Sequence, residues 1–203
     1  MAAAQAAQAA GADLIGFVFA PSRRRISPEA ACRIACQVKG IGKVGVFVDA
    51  PLNQVREIAE KCNLDYVQLH GQESPEYCRG AGRPVIKGIR VKAELKLAEI
   101  SRYAVDWILC DSFIPGKAGG TGVSFDWKAA GESCRQIKSR LLLAGGLTEA
   151  NVTEAIRLFE PAGVDVSGGV ETNGIKDIGK IRRFIAAAKT AGGKPNVISS
   201  EDC

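Results

Sequence analysis

The stretch that decides the fold is residues 141–170, LLLAGGLTEANVTEAIRLFEPAGVDVSGGV. It contains two short, mostly apolar strands, residues 141–144 and 164–166, and paired glycines follow each strand closely. From Thr148 onwards, the sequence between the strands favours a helix. Short apolar strands joined through a helix are typical of a parallel sheet, whose faces are covered by the connecting helices. The stretch therefore predicts a β-α-β unit of an α/β protein.

The same alternation of strand and helix extends toward the N-terminus. Five more strands are predicted, each followed by a helical stretch or a helix-leading loop, at residues 14–19, 43–48, 66–70, 85–91 and 107–111. An alanine-rich helix over residues 1–10 precedes the first of them, and no strand leads into this helix. A last helix is predicted from about residue 177 to 189. The chain thus consists of one leading helix and seven strand–helix units.

Two architectures fit this order, an open doubly wound sheet and a closed (β/α)8 barrel. No G-x-G-x-x-G follows the first strand, which disfavours a dinucleotide-binding sheet. The leading helix without its strand favours a barrel. We therefore predict an α/β fold, a TIM barrel truncated at the N-terminus so that about seven strands remain. Residues 1–190 form its single domain, starting within the first helix, and residues 191–203 form a loose polar tail.

Composition and charge argue against several classes of partner. The 203 residues are 46% hydrophobic and 24% charged, as in an ordinary globular protein. The net charge is only +5, and the densest basic run is the three residues Arg23, Arg24 and Arg25. This balance does not predict a nucleic-acid partner. No apolar run approaches the roughly 20 residues of a membrane span, and the N-terminus lacks the pattern of a signal peptide. We expect no membrane partner.

The cysteines indicate a reducing environment. There are seven of them and a single histidine, and no C-x-x-C pair is present. This set gives no zinc-binding pattern. An odd number of cysteines without paired spacing indicates free thiols, and we expect a cytoplasmic protein.

Three predicted strands carry side chains that can move protons. The active site of a barrel lies at the C-terminal ends of its strands, and Asp111 has that position. It is either a general acid or a helix cap or loop anchor. Asp165 lies within an apolar strand, so it is either functional or paired with a cation. His70 also ends a strand and is either a hydrogen-bonded scaffold residue or a catalyst.

The paired glycines predict a phosphate site. In a barrel, phosphate binds at the loops after the seventh and eighth strands. Here those loops contain Gly145 and Gly146, and Ser167, Gly168 and Gly169. Glycines allow backbone N–H groups to approach an anion closely. The alternative interpretation is that they only form tight turns between strand and helix.

Seven segments carry a resemblance to a known family: GADLIGFVFAPSRRRISPE (11–29), KVGVFVD (43–49), YVQLHGQE (66–73), VIKGIRV (85–91), LCDSFIPGKAGGTGVSFDW (109–127), LLAGGL (142–147) and VDVSGGVETNGIKD (164–177). In order and spacing they are similar to the phosphoribosylanthranilate isomerases, barrel enzymes of tryptophan biosynthesis. The resemblance covers the chain from Gly11 to about Ile185.

The resemblance implies an Amadori rearrangement of N-(5-phosphoribosyl)anthranilate to 1-(2-carboxyphenylamino)-1-deoxyribulose 5-phosphate. A general acid opens the furanose ring to a Schiff base, a general base removes the proton at C2, and no metal or organic cofactor takes part. The substrate is a small phosphorylated aminosugar, and the oligomeric state, monomer or homodimer, stays open.

The resemblance also implies roles for individual residues. Asp111 matches the general acid, and Arg24 matches the arginine that contacts the anthranilate part of the substrate. Gln68, His70 and Asp165 match polar residues at the substrate site. The phosphate site is matched by Gly145, Gly146, Ser167, Gly168 and Gly169, and the glycines of residues 119–122 match the loop after the acid.

The sequence departs from the family at the general base. The family's base is a cysteine in a first strand that reads approximately Lys-Ile-Cys-Gly, and none of the seven cysteines stands in such a motif. Cys110 is in another strand and is expected on its opposite face. Three explanations are open: a start assigned too late, a folded chain with little or no activity, or completion by another segment. For the last, the polar tail offers no obvious strand.

Two other functions compete with the isomerase. One is a non-catalytic barrel that binds phosphate. The other is a different phosphosugar barrel enzyme, such as an indole-glycerol-phosphate synthase, which needs a lysine as its acid at a strand end where this chain has Asp111.

Overall fold

The protein is a closed parallel barrel. The computed structural model describes residues 1–91, 97–112, 136–137, 140–191 and 196–201. Its eight strands are β1 (Leu14–Val18), β2 (Gly42–Phe47), β3 (Tyr66–Leu69), β4 (Val85–Val91), β5 (Trp107–Ser112), β6 (Leu141–Ala144), β7 (Gly163–Val166) and β10 (Asn196–Glu201). They close in the order β1-β10-β7-β6-β5-β4-β3-β2, with every neighbouring pair parallel. The predicted α/β barrel is confirmed, and all seven predicted strands are present.

Two further strands, β8 (Glu171–Thr172) and β9 (Ile175–Lys176), form a short antiparallel hairpin outside the barrel sheet. The described helices are α1 (Ala2–Ala9), α2 (Pro28–Ala35), α3 (Leu52–Lys61), α4 (Pro75–Arg79), α5 (Leu97–Ile100), α6 (Val152–Phe159) and α7 (Ile178–Ala191). None of the helices in these ranges is long and apolar enough to cross a membrane. The loop at residues 116–122 and the helix expected from about residue 125 lie outside the described residues.

Local signals set the helix ends. The Ser27 side chain accepts a hydrogen bond from the Ala30 N–H, and Pro28 occupies the first position of α2. This is the cap that the sequence predicts. Proline suits the first helical position because it has no N–H that would be left unpaired there. Gly11 has a φ of +86° just after α1, as expected for a glycine that ends a helix.

The last strand, β10, differs from the loose tail that we expect from the sequence. Its backbone pairs with β1, where Ile198 is in register with Leu14, and with β7, where Asn196 is in register with Gly163. Without it, β1 and β7 would present two unpaired edges of backbone N–H and C=O groups. The six residues of β10 pair with both edges. Backbone hydrogen bonding therefore makes this segment a strand although its sequence is only weakly apolar.

The barrel has an inner and an outer layer of apolar side chains. Inside it, Val44, Ile86, Leu109 and Leu142 form a buried cluster. A larger cluster lies between strands and helices and contains Phe17, Phe47, Phe159 and Phe184, among others. Because side chains alternate along a strand, residues two positions after the inner cluster point inward at the C-terminal rim. This geometry places Asp111 and its neighbours in one site.

Candidate active site

A cavity of about 580 Å³ opens at the C-terminal ends of the strands. This volume is typical of a site for a small organic ligand. The structure places all the predicted site residues on its wall: Arg24, Gln68, His70, Asp111, Gly145, Gly146, Asp165, Ser167, Gly168 and Gly169. Side chains from opposite sides of the barrel therefore meet at one ligand-sized space.

Asp111 and His70 form the polar centre of this cavity. The distance from His70 Nε2 to Asp111 Oδ2 is 3.4 Å, and Gln68 Nε2 lies 3.2 Å from His70 Nδ1. When the Gln68 amide donates to Nδ1, the imidazole carries its proton on Nε2, facing the Asp111 carboxylate. About a third of the Asp111 side chain stays exposed. The carboxyl group can thus exchange a proton with a ligand while His70 orients it.

Gly88 on β4 makes room for the His70 ring. A Cβ atom at this position would lie 2.7 Å from His70 Cγ and 2.9 Å from His70 Nδ1. Carbon atoms do not approach so closely, so any side chain larger than that of glycine would displace the imidazole. Of the two interpretations of His70, the geometry therefore supports a ring held on the cavity wall against Asp111.

Asp165 carries a buried carboxylate oxygen that has no hydrogen-bond partner among the described residues. Its Oδ1 is buried and accepts no hydrogen bond from the described residues. Burial raises the pKa of Asp165 to about 6; the neighbouring His70 and Lys176 side chains oppose this shift, and the neighbouring Asp111 adds to it. A buried acceptor without a partner is costly unless a ligand satisfies it. The side chain therefore suits a contact with a ligand hydroxyl.

The glycine loops have geometries that require glycine. Gly145 and Gly146 follow β6 with φ values of +90° and +65°, in the left-handed region that other residues rarely adopt. A Cβ atom on Gly169 would overlap the carbonyl oxygen of Leu147. The two loops are thus packed directly against each other. The glycines form tight turns and at the same time bring backbone to the cavity wall, and the phosphate-binding interpretation stays a prediction.

Arg24 reaches the cavity from the loop after β1 and is anchored by Glu171. Arg24 Nε donates to Glu171 Oε1 at 2.7 Å, and Arg24 Nη2 donates to Glu171 Oε2 at 2.9 Å. Lys176 Nζ also donates to Glu171 Oε1, at 3.0 Å. Burial alone would raise the pKa of Glu171, but the hydrogen bonds from Arg24 and Lys176 lower it to about 2.

Sequence reasoning missed Glu171, Lys176 and Arg90. Arg90 lines the cavity and is in register with Asp111 on the neighbouring strand. Its signal was available, because it lies two residues after Gly88 and four after the buried Ile86 on a predicted strand. Glu171 and Lys176 lie in a polar segment with no periodic pattern, so no local signal marks them.

None of the described cysteines lies on the cavity wall. Cys110 is 1% exposed and belongs to the outer cluster, between strands and helices. The expectation that it faces away from Asp111 is confirmed.

Comparison with known proteins identifies one family. Residues 1–187 match the family described as N-(5'phosphoribosyl)anthranilate (PRA) isomerase. A curated N-(5'-phosphoribosyl)anthranilate isomerase from Desulforudis audaxviator is 48% identical over 191 residues, which cover 93% of each chain.

Solved structures agree with this match. A phosphoribosyl anthranilate isomerase from Thermotoga maritima aligns with a TM-score of 0.76 and 37% identity, covering 92% of this chain and 93% of that one. A phosphoribosyl anthranilate isomerase in complex with reduced 1-(o-carboxyphenylamino)-1-deoxyribulose 5-phosphate aligns with a TM-score of 0.75 and 35% identity, covering 92% of both chains.

Proposed function

Because the chain belongs to the phosphoribosylanthranilate isomerase family, we propose that it catalyses the reaction of that family in tryptophan biosynthesis. N-(5'-phosphoribosyl)anthranilate is rearranged to 1-(2-carboxyphenylamino)-1-deoxyribulose 5-phosphate. A barrel fold alone would not support this, since barrels host many chemistries. The observation that carries the proposal is the Asp111 carboxylate, held 3.4 Å from His70 in a cavity that the glycine loops also line.

Asp111 is the general acid of the first step. Its carboxyl group gives a proton to the furanose ring oxygen, the C1–O bond breaks, and the nitrogen lone pair forms the C=N bond of the Schiff base. The carboxylate that remains faces His70 Nε2, which lies 3.4 Å from Asp111 Oδ2. This contact stabilises the ionised acid after transfer and keeps the carboxyl oriented between turnovers.

Three groups bind the two ends and the middle of the substrate. Arg24 takes the anthranilate carboxylate, because a guanidinium matches a carboxylate in charge and shape. The loops with Gly145 and Gly146, and with Ser167 to Gly169, take the phosphate through backbone N–H groups. Asp165 Oδ1 accepts a hydrogen bond from a sugar hydroxyl, and Gln68 acts through His70.

The second step needs a group that takes the proton from C2. The resemblance assigns this role to a first-strand cysteine, and no described cysteine lies on the cavity wall. This observation favours a second candidate function, a barrel that binds the phosphorylated ligand without turning it over.

We also propose a location and a class of partner for the protein. The ligand is a small phosphorylated aminosugar, with no nucleic-acid or membrane partner, and the protein is cytoplasmic. The five cysteines in the described part of the chain form no disulfide bonds with one another, as a reducing compartment requires.

Two measurements on one preparation separate the candidate functions. The loss of phosphoribosylanthranilate fluorescence reports turnover, and calorimetric titration with the reduced product analogue reports binding. The isomerase requires both, the binding barrel requires only the second, and a chain that does neither refutes both candidates. Adding a Lys-Ile-Cys-Gly strand ahead of Met1, in a chain without residues 193–203 so that the place of β10 between β1 and β7 is open, then tests the base: turnover that appears only with this strand assigns the C2 proton to its cysteine.

A further inference from the structure

Behind the cavity wall, the buried carboxylate of Glu171 accepts hydrogen bonds from the cationic side chains of Arg24 and Lys176. We infer that Glu171 is a positioning residue that fixes Arg24 in the orientation needed to receive the ring carboxylate of the substrate. The inference rests on the proposed function, and it adds a determinant of specificity that lies outside the cavity lining.

The contact between the two side chains is bidentate. Both oxygens of Glu171 accept from Arg24, at 2.7 and 2.9 Å, through the Nε and Nη2 edge of the guanidinium. A pair of parallel N–H···O bonds fixes the plane of the guanidinium as well as its position. A single hydrogen bond, for example to an amide oxygen, would leave the guanidinium plane free to rotate.

Burial makes this anchor rigid. The side chain of Glu171 is 4% exposed, whereas that of Arg24 is 24% exposed and lies on the cavity wall. The anchor is therefore shielded from water, and the guanidinium extends from it to the ligand. The low pKa of Glu171 keeps the anchor ionised throughout the working pH range.

Glu171 also connects the two proposed anion sites. Lys176 Nζ donates to Glu171 Oε1 and to the backbone oxygen of Ser167, at 3.0 and 3.1 Å. Arg24 Nη2 lies 3.4 Å from the point where a Cβ atom of Gly168 would be. The guanidinium is thus close to the phosphate loop. The Glu171 carboxylate orients the Arg24 guanidinium toward the ring carboxylate of the substrate. The guanidinium therefore does not become another ligand of the phosphate.

This arrangement predicts a defined change in specificity. Wild-type protein should bind the reduced product analogue about tenfold or more tightly than the same analogue without its ring carboxylate, since hydrogen bonds to charged groups are strong. Glu171→Gln should abolish most of this preference and change the affinity for the carboxylate-free analogue less than about twofold. If Glu171 had a merely structural role, the substitution would lower the affinity for both analogues equally.

Calorimetric titration of four proteins and one control variant with both analogues tests the inference. The set is wild type, Glu171→Gln, Arg24→Gln and the double variant; Glu149→Gln is the matched control, because Glu149 pairs with Arg183 on the exposed surface at 2.6 Å. The expected result is that Arg24→Gln and the double variant show the same loss of preference, and that the control keeps the wild-type preference.

Three outcomes would contradict different parts of the account. A Glu171→Gln variant that retains the preference overturns the positioning role, and so does one that loses affinity for both analogues equally. Additive losses in the double variant would also overturn it, since Glu171 would then act independently of Arg24. Wild-type protein that binds neither analogue refutes the proposed function itself.

Discussion

Replacing Glu73 with glutamine is expected to lower the free energy of unfolding by about 3–5 kcal/mol, the usual loss when one member of a buried ion pair is removed. Lys87 Nζ lies 2.9 Å from Glu73 Oε2, and the two side chains are 3% and 1% exposed. Glutamine would leave the Lys87 ammonium buried without a counter-charge. Burial raises the pKa of Glu73, but its contacts with Lys87 and the Asp49 N–H outweigh this and lower the pKa, so Glu73 is ionised at neutral pH.

The magnitude follows from the number of contacts that converge on the pair. Glu73 accepts hydrogen bonds from the backbone N–H groups of Asp49 and Gly71, both at 2.9 Å. Lys87 donates to the carbonyl oxygens of Leu69 and Gly71, at 3.0 and 2.8 Å. The ion pair therefore joins the segment that follows β2 to the segment that follows β3, next to the cavity rim. A glutamine has one acceptor oxygen and cannot serve all of these donors.

Reversible urea unfolding followed by circular dichroism measures the loss. In thermal unfolding, it corresponds to a Tm lower by about 6–20 °C for a domain of this size. Glu76→Gln is the control, because its ion pair with Arg79 is exposed at both side chains; its urea midpoint should match that of wild type. A Glu73→Gln variant within about 1 kcal/mol of wild type would refute the reasoning. So would a Glu73→Gln/Lys87→Met double variant whose cost equals the sum of the single costs, because the two charges would then be uncoupled.

Three further predictions concern the site and the barrel. Gly169→Ala should weaken binding of the reduced product analogue at least about tenfold in calorimetry, since the added Cβ must displace the Leu147 carbonyl from the phosphate loops; unchanged affinity contradicts the proposed phosphate site. Affinity for the same analogue should fall as the pH drops below about 6, because the raised pKa of Asp165 leaves the accepting carboxylate ionised mainly above that value. Asp165→Asn should remove this inflection, and its persistence would assign it to another group. Deleting residues 193–203 should lower the urea midpoint and increase light scattering, because β1 and β7 lose the strand that pairs both of them; an unchanged midpoint would show that β10 contributes nothing.

The sequence was sufficient for the barrel because its signals are local. Each of the seven predicted strands contains a short apolar run, and the ends of α1 and α2 are marked by Gly11, Ser27 and Pro28. Strand ends also predicted the positions of His70, Asp111 and Asp165, because the alternation of side chains fixes which residues point into a barrel. These positions follow from the order of residues within single segments.

The features that the sequence did not reveal depend on contacts between distant segments. β10 is a strand because two barrel edges need a partner, and its own pattern is only weakly apolar. Arg24 and Glu171 are separated by 147 positions, so nothing near either residue indicates their pairing. Glu171 is one of 22 acidic residues, and only the packing of the β8–β9 hairpin against the loop after β1 distinguishes it.

The central claim is that Asp111 opens the substrate ring, and the most direct test is the isomerase assay of wild type beside Asp111→Asn. The account predicts loss of phosphoribosylanthranilate fluorescence with wild type and a rate lower by about 10²–10⁴ in the variant, with the affinity for the reduced product analogue retained. An Asp111→Asn variant that works at the wild-type rate would show that another group is the acid. A wild-type chain that binds the analogue but leaves the fluorescence unchanged would contradict the isomerase and establish the binding barrel.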